Sequence, residues 1–459
     1  MADYNLIVIG SGPGGYVCAI RAAQLGSRVA IVEERELGGT CLNRGCIPTK
    51  ALLESAAVLR HARHSARFGV LLRNPSLDLP KAMENKEAVV KKLRNGVAFL
   101  MKKNKIDVLV GRGKLFGRRE VAVTDSQGSS RTYITEKIVL ATGSVPARPK
   151  AFPIDGKSVL TSDEMLQLEA VPKSLLVVGG GYIGCEFASM FREFGSEVTI
   201  VEMLPRILPL NDDELSAELT RAFKKAGITI HTDTKVEQMT LADGQVKVHL
   251  SSGKDQSFEK ALISIGRAPV TDALGLEAAG VSVENRFIAI NDHCQTNVLN
   301  IYAIGDVTGK MMLAHAASRQ GIVAAEHMHG RPARMSYSVV PAAVFTWPEV
   351  SNVGLTEAQA RDKGVKVKVA KFYFQALGKA LVLGDPVGFV KVVADEETGE
   401  ILGVHMVGPH VSDLIAEAAL AMHLEATVGD IAHTIHAHPT LPESLAEAAE
   451  GWLGKMIHG

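Results

Sequence analysis

The sequence predicts an α/β protein in which two doubly wound, parallel-sheet nucleotide-binding domains are followed by an α+β domain. Three observations carry the prediction. A strand–glycine turn–helix–strand unit occurs twice, a proline-rich stretch separates the copies, and the texture changes near Val339. The first copy runs from Leu6 to Glu33, with Gly10, Gly12 and Gly15 in its turn, Gly26-Ser27 after its helix and Glu33 closing its second strand. The second runs from Leu175 to Glu202, with Gly179, Gly181 and Gly184, then Gly195-Ser196 and finally Glu202. In both, the first glycine precedes the acidic residue by 23 positions. A lone G-x-G-x-x-G is a weak signal, but two copies in the same strand–helix setting are a strong one.

The chemistry follows from the fold. The glycines let backbone approach a pyrophosphate, which rests on a helix N-terminus where unpaired N–H groups favour anions. The carboxylate ending the second strand then accepts from adenosine ribose hydroxyls. Pro146, Pro149 and Pro153 mark a domain crossing, and Ile265-Gly266-Arg267-Ala268-Pro269 closes the second unit. Asn300 to Asp306 reads as a strand with an acid at its C-terminal end. Beyond Val339, strand-like runs at 365–374, 388–394 and 402–407 precede a helix-like run at 413–424. The expected domains are 1–150 with 272–338, then 151–271, then 339–459.

Composition narrows the function classes. A chain of 459 residues exceeds what one hydrophobic core serves. Hydrophobic residues at 46% and charged residues at 22% are ordinary for a soluble globular protein. The formal net charge of zero gives no electrostatic case for nucleic acid or an anionic membrane. No apolar run approaches the roughly 18 residues of a membrane span. The N-terminus lacks a basic secretory leader, so a cytoplasmic location is expected.

Five cysteines in so long a chain are no disulfide scaffold. Cys18, Cys185 and Cys294 are scattered singly and read as buried small hydrophobes, and no compact metal-ligand cluster is present. Cys41 and Cys46 differ. They lie in Gly38-Gly39-Thr40-Cys41-Leu42-Asn43-Arg44-Gly45-Cys46-Ile47-Pro48-Thr49-Lys50, directly after the first fingerprint. In an ideal helix, residues five apart are roughly 8–9 Å apart at Cα, beyond the ~7 Å reach of a disulfide. Bridging would need a broken or just-starting helix, which Gly38, Gly39, Gly45 and Pro48 allow. A helix is expected to continue from Lys50 to Leu59. Thiols near its N-terminus are expected to have depressed pKa values. Lys50, four residues after Cys46, shares that helix face. On spacing alone it is as readily a solvated lysine as a cofactor neighbour. A disulfide does not readily take hydride from a nicotinamide, whereas a flavin can pass the electron pair on. Two nucleotide sites and a dithiol therefore imply FAD at the first site and NAD(P) at the second.

These residues together resemble the class I pyridine nucleotide–disulfide oxidoreductases over essentially the whole chain. The pieces are the Cys41–Cys46 segment, both fingerprints, Ala141-Thr142-Gly143, Gly305-Asp306 and His436-Ala437-His438-Pro439-Thr440-Leu441-Pro442-Glu443. The resemblance implies two Rossmann-like domains, for FAD and NAD, and a C-terminal dimerisation domain. It implies one tightly bound FAD per subunit and a Cys41–Cys46 redox disulfide. Cys46 would be the charge-transfer thiol and Cys41 the exchanging one. Glu33 would meet the FAD ribose and Asp306 the ribitol, and Lys50 would pair with Glu186. Thr40, Thr142, Gly143, Gly266, Arg267 and Ala314 join the glycines and Glu202 as expected cofactor neighbours. His438 would reach the disulfide of the partner subunit, so a homodimer is implied. Arg44 and Thr49 stand where valine and serine are common, and Arg44 could alter the charge around the thiols.

Dithiol exchange needs a base, and histidine titrates in the right range. His438 matches the family position, with Glu443 to orient it. Read from the residues alone, Thr440-Leu441-Pro442-Glu443 is better taken as a capping box for a helix over 444–453. The family pattern favours the orienting role, and both could hold in turn. His436 receives no role.

The leading expectation is NAD-dependent oxidation of dihydrolipoyl groups, with lipoyl-bearing domains of 2-oxo acid dehydrogenase or glycine-cleavage complexes as partners. Glu202 suits a free ribose hydroxyl and repels a 2′-phosphate, and Arg206 is the sole nearby base. The alternative is an NADPH-dependent reductase of glutathione or a related low-molecular-weight disulfide. Mercuric-type and large thioredoxin-type reductases are disfavoured because no cysteine follows Cys294. A flavin-bearing scaffold without turnover would have no chemical reason to carry Cys41, Cys46 and His438.

Overall fold

The computed structural model describes residues 2–459, which fall into two compact units. The first comprises the described residues up to Ser55, with Asp78–Ala147 and Gly266–Ser336; the second comprises Ala56–Leu77, Arg148–Ile265 and Tyr337–Gly459.

In the first unit, the parallel strands Asp107–Val110, Val29–Glu33, Tyr4–Ile9 and Ser130–Leu140 lie side by side in that order. Ile301–Ala303 adds to Ser130–Leu140 in parallel, and Glu120–Thr124 and Arg112–Leu115 extend it antiparallel. Ile7 pairs with Ala30 on one side and Ile138 on the other, and all three are fully buried. Covered on both faces, such strands are near-continuous apolar runs. The helix Pro13–Gln24 packs on Ala314–Met328 with little separation: a Cβ on Gly321 would stand 2.5 Å from the Gly14 carbonyl oxygen. Arg21 and Glu326 tie the two helices at 2.6 Å. The expected strand through Asp306 is shorter than its apolar run. It ends at Ala303, and Gly305, at φ 75°, turns the chain so that Asp306 lies in the tight turn Gly305–Thr308.

The second unit has its own parallel sheet, in the order Thr229–His231, Glu197–Val201, Ser174–Val178, Lys260–Ile263, Val159–Leu160. Beside it stands an antiparallel three-stranded sheet, Val236–Ala242, Gln245–Leu250 and Asp255–Phe258. From residue 342 onward, the five strands Ala342–Val344, Glu349–Gly354, Ile401–Gly408, Phe389–Asp395 and Val367–Tyr373 form an antiparallel sheet. Its core, including Phe372, Phe374, Val392 and Val404, is closed by the helices Val411–His423 and Glu443–Trp452. The three expected strands and the expected helix lie within two residues of their predicted bounds.

The helix Asp213–Lys225 is fastened to this C-terminal sheet by charge. The Lys391 ammonium, on a side chain only 3% exposed, lies 3.0 Å from Asp212, 2.9 Å from Glu214 and 3.1 Å from Glu357. Among the described residues no helix is long and apolar enough to cross a membrane.

Candidate dinucleotide and thiol sites

The two fingerprints have the same physical construction. Gly10 adopts φ +103°, and a Cβ there would meet the Ala141 carbonyl oxygen at 2.3 Å; Gly179, at φ +104°, would meet the Ser264 oxygen at 2.6 Å. A Cβ on Gly15 would stand 2.0 Å from Gly10 O, and one on Gly184 the same distance from Gly179 O. These four glycines are demanded by the protein's own packing. The middle glycines are not: around a Cβ on Gly12 or Gly181 there is nothing within 4 Å. Each middle glycine is the N-cap of a helix, Pro13–Gln24 or Tyr182–Phe194, and no side chain caps either end. Open space over uncapped N–H groups fits a pyrophosphate.

The acidic residues match as well. Glu33 Oε2 accepts from the Ser11 amide at 3.0 Å and from its hydroxyl at 2.6 Å, and Oε1 accepts from the Arg35 amide at 3.0 Å. Glu202 Oε2 accepts from the Gly180 amide at 2.7 Å, and Oε1 from the Leu204 amide at 2.8 Å. A carboxylate offers about four acceptor sites. Both therefore keep capacity for a ribose hydroxyl while their orientation is held by backbone. Arg206 is committed elsewhere, 2.8 Å from Asp213.

In the first unit the glycine loop carries the cysteine segment. The Gly38 amide donates to Ser11 O at 3.1 Å and reaches Ser11 Oγ at 3.2 Å. A Cβ on Gly39 would stand 2.5 Å from the Gly12 Cα. Asn43 Nδ2 donates to the carbonyls of Leu37 and Gly39, each at 3.0 Å, closing the turn from the other side. Thr40, Cys41 and Asn43 lie on the short helix Gly39–Arg44, and Cys46 opens the helix Cys46–Arg63, which carries Lys50. Between them Gly45 takes φ −141°, ψ −110°. The helical break expected between the cysteines is therefore present, and the second helix is longer than expected at both ends. Both cysteines are thiols, in hydrogen-bond contact with each other. That bond and burial push the Cys41 thiol up, with the Lys50 charge opposing. For Cys41 this reverses the expected depression, because a proton shared within a buried pair outweighs a nearby helix end. Arg44 forms an ion pair with Glu36, which tempers its charge beside the thiols. Thr49 Oγ1 donates to Gly45 O at 2.7 Å.

Near the same sheet, Asp306 Oδ2 accepts from Ser144 Oγ at 2.5 Å, and Arg267 Nε donates to that hydroxyl at 2.7 Å. Arg267 itself stands 3.8 Å from Asp306. The strand Arg267–Pro269 pairs with Ser144–Pro146, so Arg267 faces the turn that holds Asp306. Thr142 Oγ1 donates to Val270 O at 2.7 Å, whereas Gly143 (φ +67°) and Gly266 (φ +127°) have nothing within 4 Å of an added Cβ. Ala314 opens the helix whose Gln320 side chain accepts from the Gly305 amide at 2.6 Å. Ser11, Asn43, Ser144 and Gln320 escaped the sequence reading. Ser11 lies inside the fingerprint, Asn43 inside the cysteine segment and Ser144 directly after Gly143, whereas Gln320 carried no local cue.

In the second unit, Glu186 is buried and accepts from the Phe345 amide at 3.0 Å. The His438 side chain is 78% exposed, and its Nδ1 lies 2.8 Å from Glu443 Oε1. The other oxygen of Glu443 accepts from the Thr440 amide at 2.7 Å. The helix begins at Glu443 with Pro442 as its N-cap, so Thr440 is no N-cap and the full capping box does not form. One carboxylate nevertheless performs the orienting bond and half of the capping bond together. Burial raises the Glu443 carboxyl, but Thr440 and His438 more than offset it, leaving it below its ordinary value. His436 is spoken for: Nε2 lies 2.8 Å from Glu417 and Nδ1 2.8 Å from Thr434 O.

Residues 4–321 match the family model for pyridine nucleotide–disulphide oxidoreductases, and 340–449 match that family's dimerisation domain. The chain is 47% identical to the dihydrolipoyl dehydrogenase of Bacillus subtilis, with 99% of each chain covered. It is 46% identical to that of Thermus scotoductus, covering 100% of this chain and 99% of the relative. Among solved structures, LpdA of Mycobacterium tuberculosis superposes with a TM-score of 0.92 at 28% identity, covering 97% of this chain and 99% of that one. The HOCl-induced flavoprotein disulfide reductase RclA of Escherichia coli gives 0.88 at 30%, with the same coverage.

Proposed function

Since the chain belongs to the pyridine nucleotide–disulphide oxidoreductase family, we propose that it oxidises protein-bound dihydrolipoyl groups to lipoyl and reduces NAD⁺ to NADH. The observation that carries this reading is the Cys41–Cys46 contact, hung directly on the first glycine fingerprint. FAD held at Gly10, Gly12, Gly15, Glu33 and Asp306 would supply the two-electron link between sulfur and nicotinamide.

The remaining steps belong to the chain's own side chains. With Cys41 and Cys46 joined, a dihydrolipoyl thiol attacks Cys41 sulfur, forming a mixed disulfide and releasing Cys46 as a thiolate. The second substrate thiol then attacks its partner sulfur, leaving as lipoyl and freeing Cys41. His438 takes the proton lost by the substrate, and Glu443 fixes the tautomer that presents Nε2. Cys46, released in the first exchange step, is the thiol to which the charge-transfer role is assigned. Lys50, one helical turn after Cys46, joins the proposed surroundings of the reactive edge.

The match to a dimerisation domain suggests a homodimer, in which the exposed His438 would serve the partner's thiols. NAD is favoured at Gly179, Gly181 and Gly184 because Glu202 would repel a 2′-phosphate while Arg206 is already paired. Lipoyl domains of 2-oxo acid dehydrogenase or glycine-cleavage complexes are the proposed partners.

The test is an assay of purified protein with lipoamide or glutathione disulfide, each with NADH and NADPH. The reading predicts turnover with lipoamide and NADH well above the other three combinations. Preference for glutathione disulfide with NADPH would replace it with the alternative reductase.

A further inference from the structure

A cavity of about 620 Å³ lies within the second unit, at the opposite end of the helix Tyr182–Phe194 from its glycine fingerprint. Three helices end at its wall: Cys46–Arg63, Tyr182–Phe194 and Asp213–Lys225. Helix C-termini carry partial negative charge, so some basic side chains are expected there for structural reasons alone. Two are used in that way. Arg63 donates to Glu193 O at 2.6 Å, and Arg192 donates to Ala226 O at 2.6 Å. Arg221 is matched by Glu218 at 2.5 Å.

With those three committed, the side chains of Arg60 and Lys225 remain without a hydrogen-bond or ion-pair partner among the described residues. Five cationic side chains line the cavity against two carboxylates, with His64 beside them. Arg60 is the most telling. Its guanidinium lies 3.6 Å from the centroid of the Trp347 ring, half-buried, and makes no hydrogen bond among the described residues. Burial pushes it down to about 10, against the fields of Glu193 and Asp385. A flat guanidinium pinned on an indole has its donors preorganised in a plane. Lys225, exposed at the rim, has no ion pair among the described residues.

We propose that this cavity binds a small oxyanion carrying a diphosphate group. Its volume is in the ordinary range for small-molecule sites, roughly 300–1,000 Å³. The two uncommitted cations, Arg60 and Lys225, stand on two different helices, which suits a diphosphate with oxygens on two phosphorus centres better than one planar carboxylate. None of its lining residues belongs to either glycine fingerprint or to the Cys41–Cys46 pair.

Trp347 reports on the site directly, because the chain has only two tryptophans and Trp452 is buried in the C-terminal core. Holoenzyme carrying Trp452→Phe, saturated with NAD⁺ so that its nucleotide sites are filled, is titrated with pyrophosphate while indole fluorescence is followed. Calorimetry on holoenzyme with both tryptophans intact gives the same reading should that substitution disturb folding. The expected result is saturable binding that weakens about tenfold in Arg60→Gln and in the rim variant Lys225→Gln, and weakens further with salt. Citrate should bind less tightly than pyrophosphate. Absence of saturable binding, unchanged affinity in both variants, or citrate binding equal to pyrophosphate would each overturn the proposal.

Discussion

His438 and Glu443 are joined by a 2.8 Å bond from Nδ1 to Oε1, while the second oxygen of the same carboxylate holds the Thr440 amide at 2.7 Å. The imidazole is thus oriented by a group that is itself fixed to the backbone, and its Nε2 edge is left to solvent on an exposed side chain. Replacing His438 with Gln should lower dihydrolipoamide turnover about 10²–10⁴-fold, the usual span of general-base catalysis, while flavin content stays constant. Steady-state kinetics on the purified variant measure this. A loss below threefold would move the base elsewhere.

Glu443 gives a pH dependence of definite sign. Its carboxyl lies below the ordinary value of 4.5 in the folded chain, so its contribution to stability is complete above that value and fades as pH falls through the folded one. Glu443→Gln should therefore lower thermal stability at pH 7 by more than it does at pH 3. Melting curves across that interval decide the point, and an equal loss at both ends would contradict it.

The middle and last glycines of the first fingerprint should behave differently. A Cβ on Gly15 collides with Gly10 O at 2.0 Å, whereas one on Gly12 meets no protein atom within 4 Å. Gly12→Ala should fold normally and lose flavin affinity, because the methyl group occupies the cradle. Gly15→Ala should lower the stability of the chain even before flavin is added. Circular dichroism melts with and without added FAD separate these outcomes.

Much of this site was legible in the sequence because it rests on local rules. The repeat of Gly10 to Glu33 as Gly179 to Glu202 survived as a repeat in hydrogen bonding, since a carboxylate at a strand end has few backbone amides to reach. Gly45 between the cysteines announced the helix break for the same reason. Long-range partnerships left no such trace. Ser144 meets Arg267 and Asp306 from more than a hundred residues away, so neither the turn at Asp306 nor its hydroxyl partner could be read in advance. The Cys41 thiol misled the reading, because the helix-end argument treats a thiol singly and the structure presents a pair.

Lys391 carries a buried charge facing three carboxylates. Removing one partner of a buried ion pair generally costs about 3–5 kcal/mol, because the charge left behind is uncompensated. Lys391→Met should approach that loss at pH 7 in urea unfolding. The loss should shrink at low pH: Glu214 and Glu357 are held below their ordinary range by Lys371, Arg361 and Lys391 against burial, and their protonation removes the repulsion that the variant exposes. A pH-independent loss would mean that Lys391 acts through packing alone.

The central claim is that sulfur and flavin exchange electron pairs, and anaerobic titration of the flavin absorbance with NADH tests it most directly. Wild-type protein should take up one more electron pair per flavin than Cys46→Ser before the flavin is fully reduced. Identical uptake in the two proteins would show that the cysteine pair does not communicate with the flavin, and the proposed chemistry would fail.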